Sequence, residues 1–166
     1  MNHSDRLRIA PPTRADAPLI LAFIKELAEY ERLTHEVEVT ETMIEYALFG
    51  PRPVAEAVLA YWDNEPVGFA VFFTNFSTFS GRAGIYLEDL FVRPAARRNG
   101  IGQALLRHLA GLCIQRGFTR LQWAVLDWNQ PAIEFYQRLG AEPMSDWTVF
   151  RVSGDAVDLA ACAQPR

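Results

Sequence analysis

Residues 85–126 leave this 166-residue chain the least freedom in how it folds. "IYLEDLFV" (85–92) reads as a strand, and "RPAARRNG" (93–100) as a loop. From Ile101 to near Gly117 a helix carries Leu105, Leu106, Leu109, Leu112 and Cys113 on its apolar side, and "RLQWAVL" (120–126) is a second strand. A strand-helix-strand unit this short closes only with its two strands parallel in one sheet, the helix crossing one face in the right-handed sense.

The flanking segments supply the rest of the sheet and its cover. Residues 7–10 read as a short strand, and Thr13-x-x-Asp16 as a helix start of the capping-box type. Leu19, Ile20, Phe23, Ile24, Leu27 and Tyr30 then recur at helical spacing. Thr40 opens a shorter helix that "FGPRP" (49–53) ends. "VAEAVLAYW" (54–62), the turn "DNEP" (63–66) and "VGFAVFFTNF" (67–76) form a hairpin, and "FSGRAG" (79–84) turns into the central strand. Beyond 126 come a loop, a short helix begun by Pro131 and stopped at Gly140, and a last strand at "WTVFRV" (147–152). Residues 155–166 read as a helical turn or a loose tail. The order describes an α/β chain with a mixed sheet, one domain over 1–166 with its core at about 7–152.

A net charge of −4 gives no global basic field of the kind that draws a protein onto nucleic acid. Apolar runs such as "FAVFFTNF" (69–76) stop well short of the roughly 18 residues a membrane span needs. "MNHSDRLR" lacks the apolar core of a signal peptide, which points to the cytoplasm. Cys113 and Cys162 are too few for a disulfide scaffold, and His3, His35 and His108 are scattered, so no metal site is implied.

Any anion site must then be local, and the loop of the central unit offers one. At a helix N-terminus the first backbone N–H groups lack partners and the dipole is positive. Gly100 and Gly102 bare those amides, and Arg97 and Arg98 add charge, so Arg97-x-x-Gly100-x-Gly102 describes a pyrophosphate cradle. The plainer reading is a glycine turn with solvated arginines. Position 105 is leucine, which fails the dinucleotide fingerprint, and no Gly-Lys-Ser/Thr follows, which fails the P-loop.

The R-x-x-G-x-G pattern between strand and helix at 97–102 resembles the acetyl-CoA signature of the GCN5-related N-acetyltransferases. "KELAEYE" (25–31), "YLEDLFV" (86–92), "WNQPAIEFY" (128–136) and "RLGA" (138–141) are similar to the spermidine/spermine and thialysine branch of that superfamily. The resemblance implies a twisted mixed sheet flanked by helices, with acetyl-CoA wedged between splayed parallel central strands. It assigns the pantetheine arm to the backbone of Leu90, Phe91 and Val92, and the pyrophosphate to the Arg97 motif with Arg98, Asn99, Gly100, Ile101, Gly102 and Gln103. Asn129, Gln130, Pro131 and Ala132 would meet the cofactor from the other side.

Acetyl transfer from a thioester to an amine needs a neutral amine and a proton for the departing thiolate. By resemblance Tyr136 is the general acid; its plainer role is a core aromatic. A cationic acceptor calls for carboxylates, and Glu88 and Asp89 are the candidates. Strand neighbours point to opposite faces, so only one aims into a given cleft unless the strand is bulged. The resemblance favours Glu88, also on the route by which the ammonium loses its proton, and leaves Asp89 to a loop or a backbone group. Tyr30 and Glu31 match the "YE" pair that the branch sets near the acceptor, partly across a homodimer interface, or else form a solvated helix end. Trp123 walls the pocket or packs in the core. "AEPMSD" (141–146) is shorter than the human-type polyamine enzymes carry there, which opens the identity of the amine.

The function expected is direct transfer from acetyl-CoA to a primary amine of a polyamine, diamine or lysine-like amino acid, with no metal. The rivals are an acetyltransferase of an antibiotic or protein amine, and a non-catalytic acyl-CoA sensor.

Overall fold

The computed structural model describes residues 6–154 together with 156, 157 and 161. His3, Cys162 and most of the C-terminal segment 155–166 lie outside the described residues. The chain packs as two units, one through Ala124 and one from Val125.

The first unit is built on a five-stranded sheet in chain order. Strands β1 (Leu7–Ala10), β2 (Glu56–Trp62), β3 (Glu65–Ser77) and β4 (Arg82–Val92) pair antiparallel in succession, and β5 (Leu121–Trp123) lies parallel to β4. The hairpin between β2 and β3 turns on Asp63 and Asn64 at φ 52° and 68°. Two left-handed residues match the right-handed twist of the flanking strands, and Asn and Asp carry that conformation at less cost than other side chains. Asp63 is further tied to Arg6 by an ion pair.

Helix α1 (Ala17–Glu31) follows a 3-10 turn in which the Asp16 carboxylate accepts from the Thr13 N–H and hydroxyl, both at 2.7 Å, as the capping pattern foretells. Ala17, Ile20, Phe23 and Leu27 form one core cluster with Ile44 of α2 (Glu41–Phe49), Ala57 and Leu59 of β2, Phe69 of β3 and Phe91 of β4. Phe23 is fully buried, stacked on Phe69 at 5.5 Å and tilted against Phe91 at 6.4 Å. Burying one such ring contributes roughly 1.5–3 kcal/mol, and ring geometry about 0.5–1.5 more. The C-terminal half of α1 is thereby fixed over the end of β4.

Helix α3 (Ile101–Gln115) makes the crossover from β4 to β5, burying Ile101, Leu105, Leu106, Leu109 and Cys113. None of these joins the α1 cluster, and α3 packs chiefly along β4. The parallel pairing of β4 and β5 is the one the central unit requires.

Two expectations need correction. β5 spans three residues instead of 120–126, and 147–152 forms no strand. The alternation Trp147, Val149 is real, but Trp147, Val149 and Phe150 are 67%, 86% and 91% exposed. A period-2 pattern shows that a segment can be a strand; it does not supply the neighbour to pair with. Among the described residues no helix is long and apolar enough to cross a membrane.

Candidate active site

The site begins with a parity argument on β4. The Ile85 N–H bonds to Arg120 on the β5 side at 2.9 Å, and eight residues later the Arg93 N–H bonds to Val67 on the β3 side at 2.9 Å. In a regular strand, residues an even number apart present their backbone groups to the same side. One residue must therefore be absorbed between them, and the register shows which: Val71 faces Asp89 while Phe72 faces Leu87, so Glu88 is the extra residue of a β-bulge.

Two consequences follow. Beyond the bulge, Leu90 and Val92 carry their N–H and C=O groups on the side away from β3. On that side pairing stops at Leu87 with Trp123, because β5 ends there, so 88–92 runs on without a β5 partner. A chain approaching in extended form finds this strand edge open to pairing, except at the Val92 carbonyl, which Arg97 occupies. Phe91, by contrast, faces Phe69 across the β3 pairing and sits in the core.

The bulge also lets Glu88 and Asp89 escape strict alternation. Glu88 is exposed and Asp89 half-buried. Burial pushes the Asp89 carboxyl up to about 6, and the charges of Glu88 and Glu31 push the same way. Burial raises Glu31 as well. Glu31, Glu88 and Asp89 therefore share one field, the arrangement that welcomes a cation and is uncomfortable without one. Among the described residues no group of three or more ligands suited to a metal ion occurs.

After β4 a 3-10 turn (Pro94–Ala96) leads to the glycine loop. Gly100 caps α3 at φ 67°, and no side chain caps the helix, so the amides of Ile101, Gly102 and Gln103 are not covered by a capping group. Partial positive charge at such an end holds an anion by about 0.3–1 kcal/mol when exposed, and more when partly buried. Arg98 is exposed and also left-handed at φ 67°. Asn99 turns inward, its amide donating to the Ala96 carbonyl at 3.2 Å. These features fit the pyrophosphate of a coenzyme.

Arg97 goes elsewhere. Its Nε donates to the Val92 carbonyl at 2.9 Å, and its guanidinium lies 4.6 Å from the Tyr30 ring centroid and 5.8 Å from that of Phe91. One helical turn earlier on α1, Glu26 receives Arg93 in a bidentate pair, with the guanidinium 4.6 Å above Phe23. Sequence reading passed over Glu26 and Arg93. Their signal was the shared spacing of four, Glu26 to Tyr30 and Arg93 to Arg97.

The unit from Val125 carries the remaining candidates on α4 (Gln130–Arg138). Asn129, 6% exposed, precedes it, and its carbonyl accepts from Ala132 and Ile133. Gln130 and Pro131 are exposed on the first turn, with Ala132 half-buried beside them. Tyr136 is half-buried with its ring 5.3 Å from that of Phe135. The structure thus gathers Tyr30, Glu31, Glu88, Asp89, Leu90, Val92 and Trp123 around the open end of β4, and sets Asn129 just before α4 with Gln130, Pro131, Ala132 and Tyr136 on it.

Cys113 is buried, its Sγ 3.5 Å from the Arg120 carbonyl, and burial pushes the thiol up. A thiol held protonated is a poor nucleophile.

Comparison with known proteins agrees with this architecture. Residues 21–141 match the acetyltransferase (GNAT) family. A thialysine N-epsilon-acetyltransferase of Sus scrofa is 37% identical over 155 residues, covering 86% of this chain and 89% of that protein. An L-ornithine N5-acetyltransferase of Arabidopsis thaliana is 30% identical over 197 residues, covering 92% and 86%. Among solved structures, an integron cassette protein from the mobile metagenome of V. cholerae superposes with a TM-score of 0.80 at 24% identity, covering 95% of this chain and 99% of that one. A bulged strand edge left open where β5 ends, an uncapped glycine-led helix and relatives aligned over nearly the whole length converge on one conclusion: the chain belongs to the acetyltransferase (GNAT) family and is an N-acetyltransferase.

Proposed function

We propose that the protein transfers acetyl from acetyl-CoA directly to a primary amine of a small cationic acceptor, of the lysine-like, diamine or polyamine class. The observation that carries the acceptor class is the convergence of Glu31, Glu88 and Asp89 beside the unpaired end of β4. The relatives named for thialysine and L-ornithine support an amine with a second charged group.

In this reading acetyl-CoA supplies an activated acyl group with a thiolate leaving group. Leu90 and Val92 align its extended arm as an added strand, and the amides of Ile101, Gly102 and Gln103, with Arg98, hold the pyrophosphate. Asn129, Gln130, Pro131 and Ala132 serve the same ligand from α4. Asp89 and Glu31 receive the ammonium groups of the acceptor, and Trp123 walls the pocket. Glu88, exposed on the bulge, takes the proton that the attacking nitrogen must shed. The C–N bond forms as the C–S bond breaks, and Tyr136 delivers a proton to the sulfur. Buried Cys113 plays no covalent part. The resemblance in the "YE" pair also makes a homodimer part of this proposal, testable by light scattering.

The decisive experiment follows release of free CoA with acetyl-CoA and a panel of thialysine, lysine, ornithine, putrescine, spermidine and aminoglycosides. Saturable release with the dibasic amines is the expected result, and Tyr136→Phe lowers kcat by about a hundred-fold, the low end for a general acid. Tight CoA binding without turnover on any amine would overturn the reading in favour of a sensor.

A further inference from the structure

The two loop arginines, adjacent in sequence, are placed differently. Both are exposed, and Arg98 takes part in no ion pair among the described residues, so it remains available to an anion. Arg97 spends its Nε on the Val92 carbonyl and lays its guanidinium over Tyr30. The geometry points to Arg97 as a positioning residue for the acceptor side, acting through Tyr30, with the phosphate duty falling to Arg98 and the α3 amides. This deepens the proposed function and rests on it.

Three observations carry the assignment. Tyr30 is the next residue to Glu31, whose charge is felt at Asp89, so whatever holds the Tyr30 ring holds the last turn of α1 against the acidic cluster. That turn is the final one: α1 stops at Arg32, left-handed at φ 63°. The C-terminal half of α1 is secured to the exit of β4 twice, by Arg93 on Glu26 and Phe23, and on the last turn by Arg97 on Tyr30. The first clamp is a bidentate ion pair. The second, nearer the acids, is a cation over a ring plus one bond to a carbonyl. A contact of that kind is strong enough to set the position of a helix end and weak enough for its loss to leave the fold intact.

Val92 gives the same contact a second meaning. Its carbonyl lies on the open side of β4, where the extended arm of the donor would pair, and Arg97 already occupies it. Arg97 therefore touches the strand that receives the donor and the helix end that receives the acceptor.

The test separates the two substrates. Steady-state kinetics with each substrate varied, together with CoA affinity by calorimetry, are measured for the wild type, Arg97→Ala, Arg97→Lys, Arg98→Ala, Tyr30→Phe, Tyr30→Leu and the double variant Arg97→Ala/Tyr30→Leu. Arg97→Ala is expected to raise the amine KM about five-fold while CoA affinity holds, as loss of one cation–ring contact allows. Tyr30→Leu should reproduce that change, Tyr30→Phe should show less of it because the ring stays, and Arg97→Lys should restore most of it. The double variant should be no worse than either single, because both remove one contact. Arg98→Ala should do the reverse, weakening CoA and sparing the amine KM.

If Arg97→Ala weakens CoA at least as much as Arg98→Ala and leaves the amine KM unmoved, Arg97 is a phosphate ligand and the inference is lost. Additive effects in the double variant would sink it equally. Should Arg97→Ala not fold, Arg97→Lys and the Tyr30 pair decide: equal amine KM for Tyr30→Leu and Tyr30→Phe overturns the assignment. Failure of the underlying function is distinct, since the wild type itself would then show no turnover.

Discussion

At the scale of single residues, Asp89 is where charge and burial meet. Its carboxyl is pushed from 3.8 to about 6, so the folded protein holds a proton there that the unfolded chain releases. The stability tied to that proton is fully present below pH 3.8 and is lost as pH rises through 6, and burial of Glu31 acts in the same direction. Asp89→Asn should therefore flatten the fall in Tm across this window and raise Tm at pH 7, as scanning calorimetry from pH 4 to 7 would show; an unchanged profile would mean the carboxyl is not strained. Function has the opposite sign. A cationic amine is bound by the ionised form, so its KM should fall as pH rises through about 6, and Asp89→Asn should erase that dependence. The sequence named both Glu88 and Asp89, and the family resemblance favoured Glu88 as the substrate ligand. Two adjacent acids in an otherwise alternating strand were the visible trace of a bulge; which of them would be buried depended on α1 lying over β4, a tertiary fact.

At the scale of elements, the site depends on backbone that side chains would spoil. Gly68 faces Val92, and a Cβ added there would lie 2.5 Å from the Phe91 carbonyl oxygen. Gly68→Ala must therefore displace β3 from the last turns of β4, at a cost of about 1–3 kcal/mol, read as a lower Tm with a weaker CoA affinity. Gly100 holds φ 67° at the start of α3, a conformation costing an L side chain about 1–2 kcal/mol. Gly100→Val should weaken CoA binding in calorimetry, and unchanged affinity would remove α3 from the phosphate site. Elements with their own periodic pattern were legible: α1, α3 and the hairpin lie close to where their apolar spacing puts them. β5 and the segment 147–152 were not, because a strand exists only where a neighbour accepts its hydrogen bonds. The sequence holds the alternation of 147–152 and is silent on pairing. The early end of β5, which leaves 88–92 without a β5 partner, likewise shows in no single residue.

At the scale of the whole molecule, net charge enters the kinetics. The chain carries −4, with three of its acids in one field beside β4, and the proposed anion site is only a loop arginine and a helix end. In the proposed reaction the donor is an anion and the acceptor a cation, so the long-range field would favour the approach of the acceptor and oppose that of the donor. In that reading the donor motif stands out in the sequence and the acceptor site does not. An anion site on an acidic protein must be concentrated in one local motif, and Gly100 and Gly102 after Arg97 are consecutive enough to read. A cation site can be spread over Glu31 from α1 and Glu88 with Asp89 from β4, which only folding brings together. Salt separates the two contributions. Raising ionic strength from about 0.01 M to about 0.15 M shortens the screening length from about 30 Å to about 8 Å. kcat/KM for a dicationic amine should fall over that range, more steeply than for a monocationic one, while kcat holds. Parallel curves for the two amines would mean that the acids act only at contact and that net charge contributes nothing to capture.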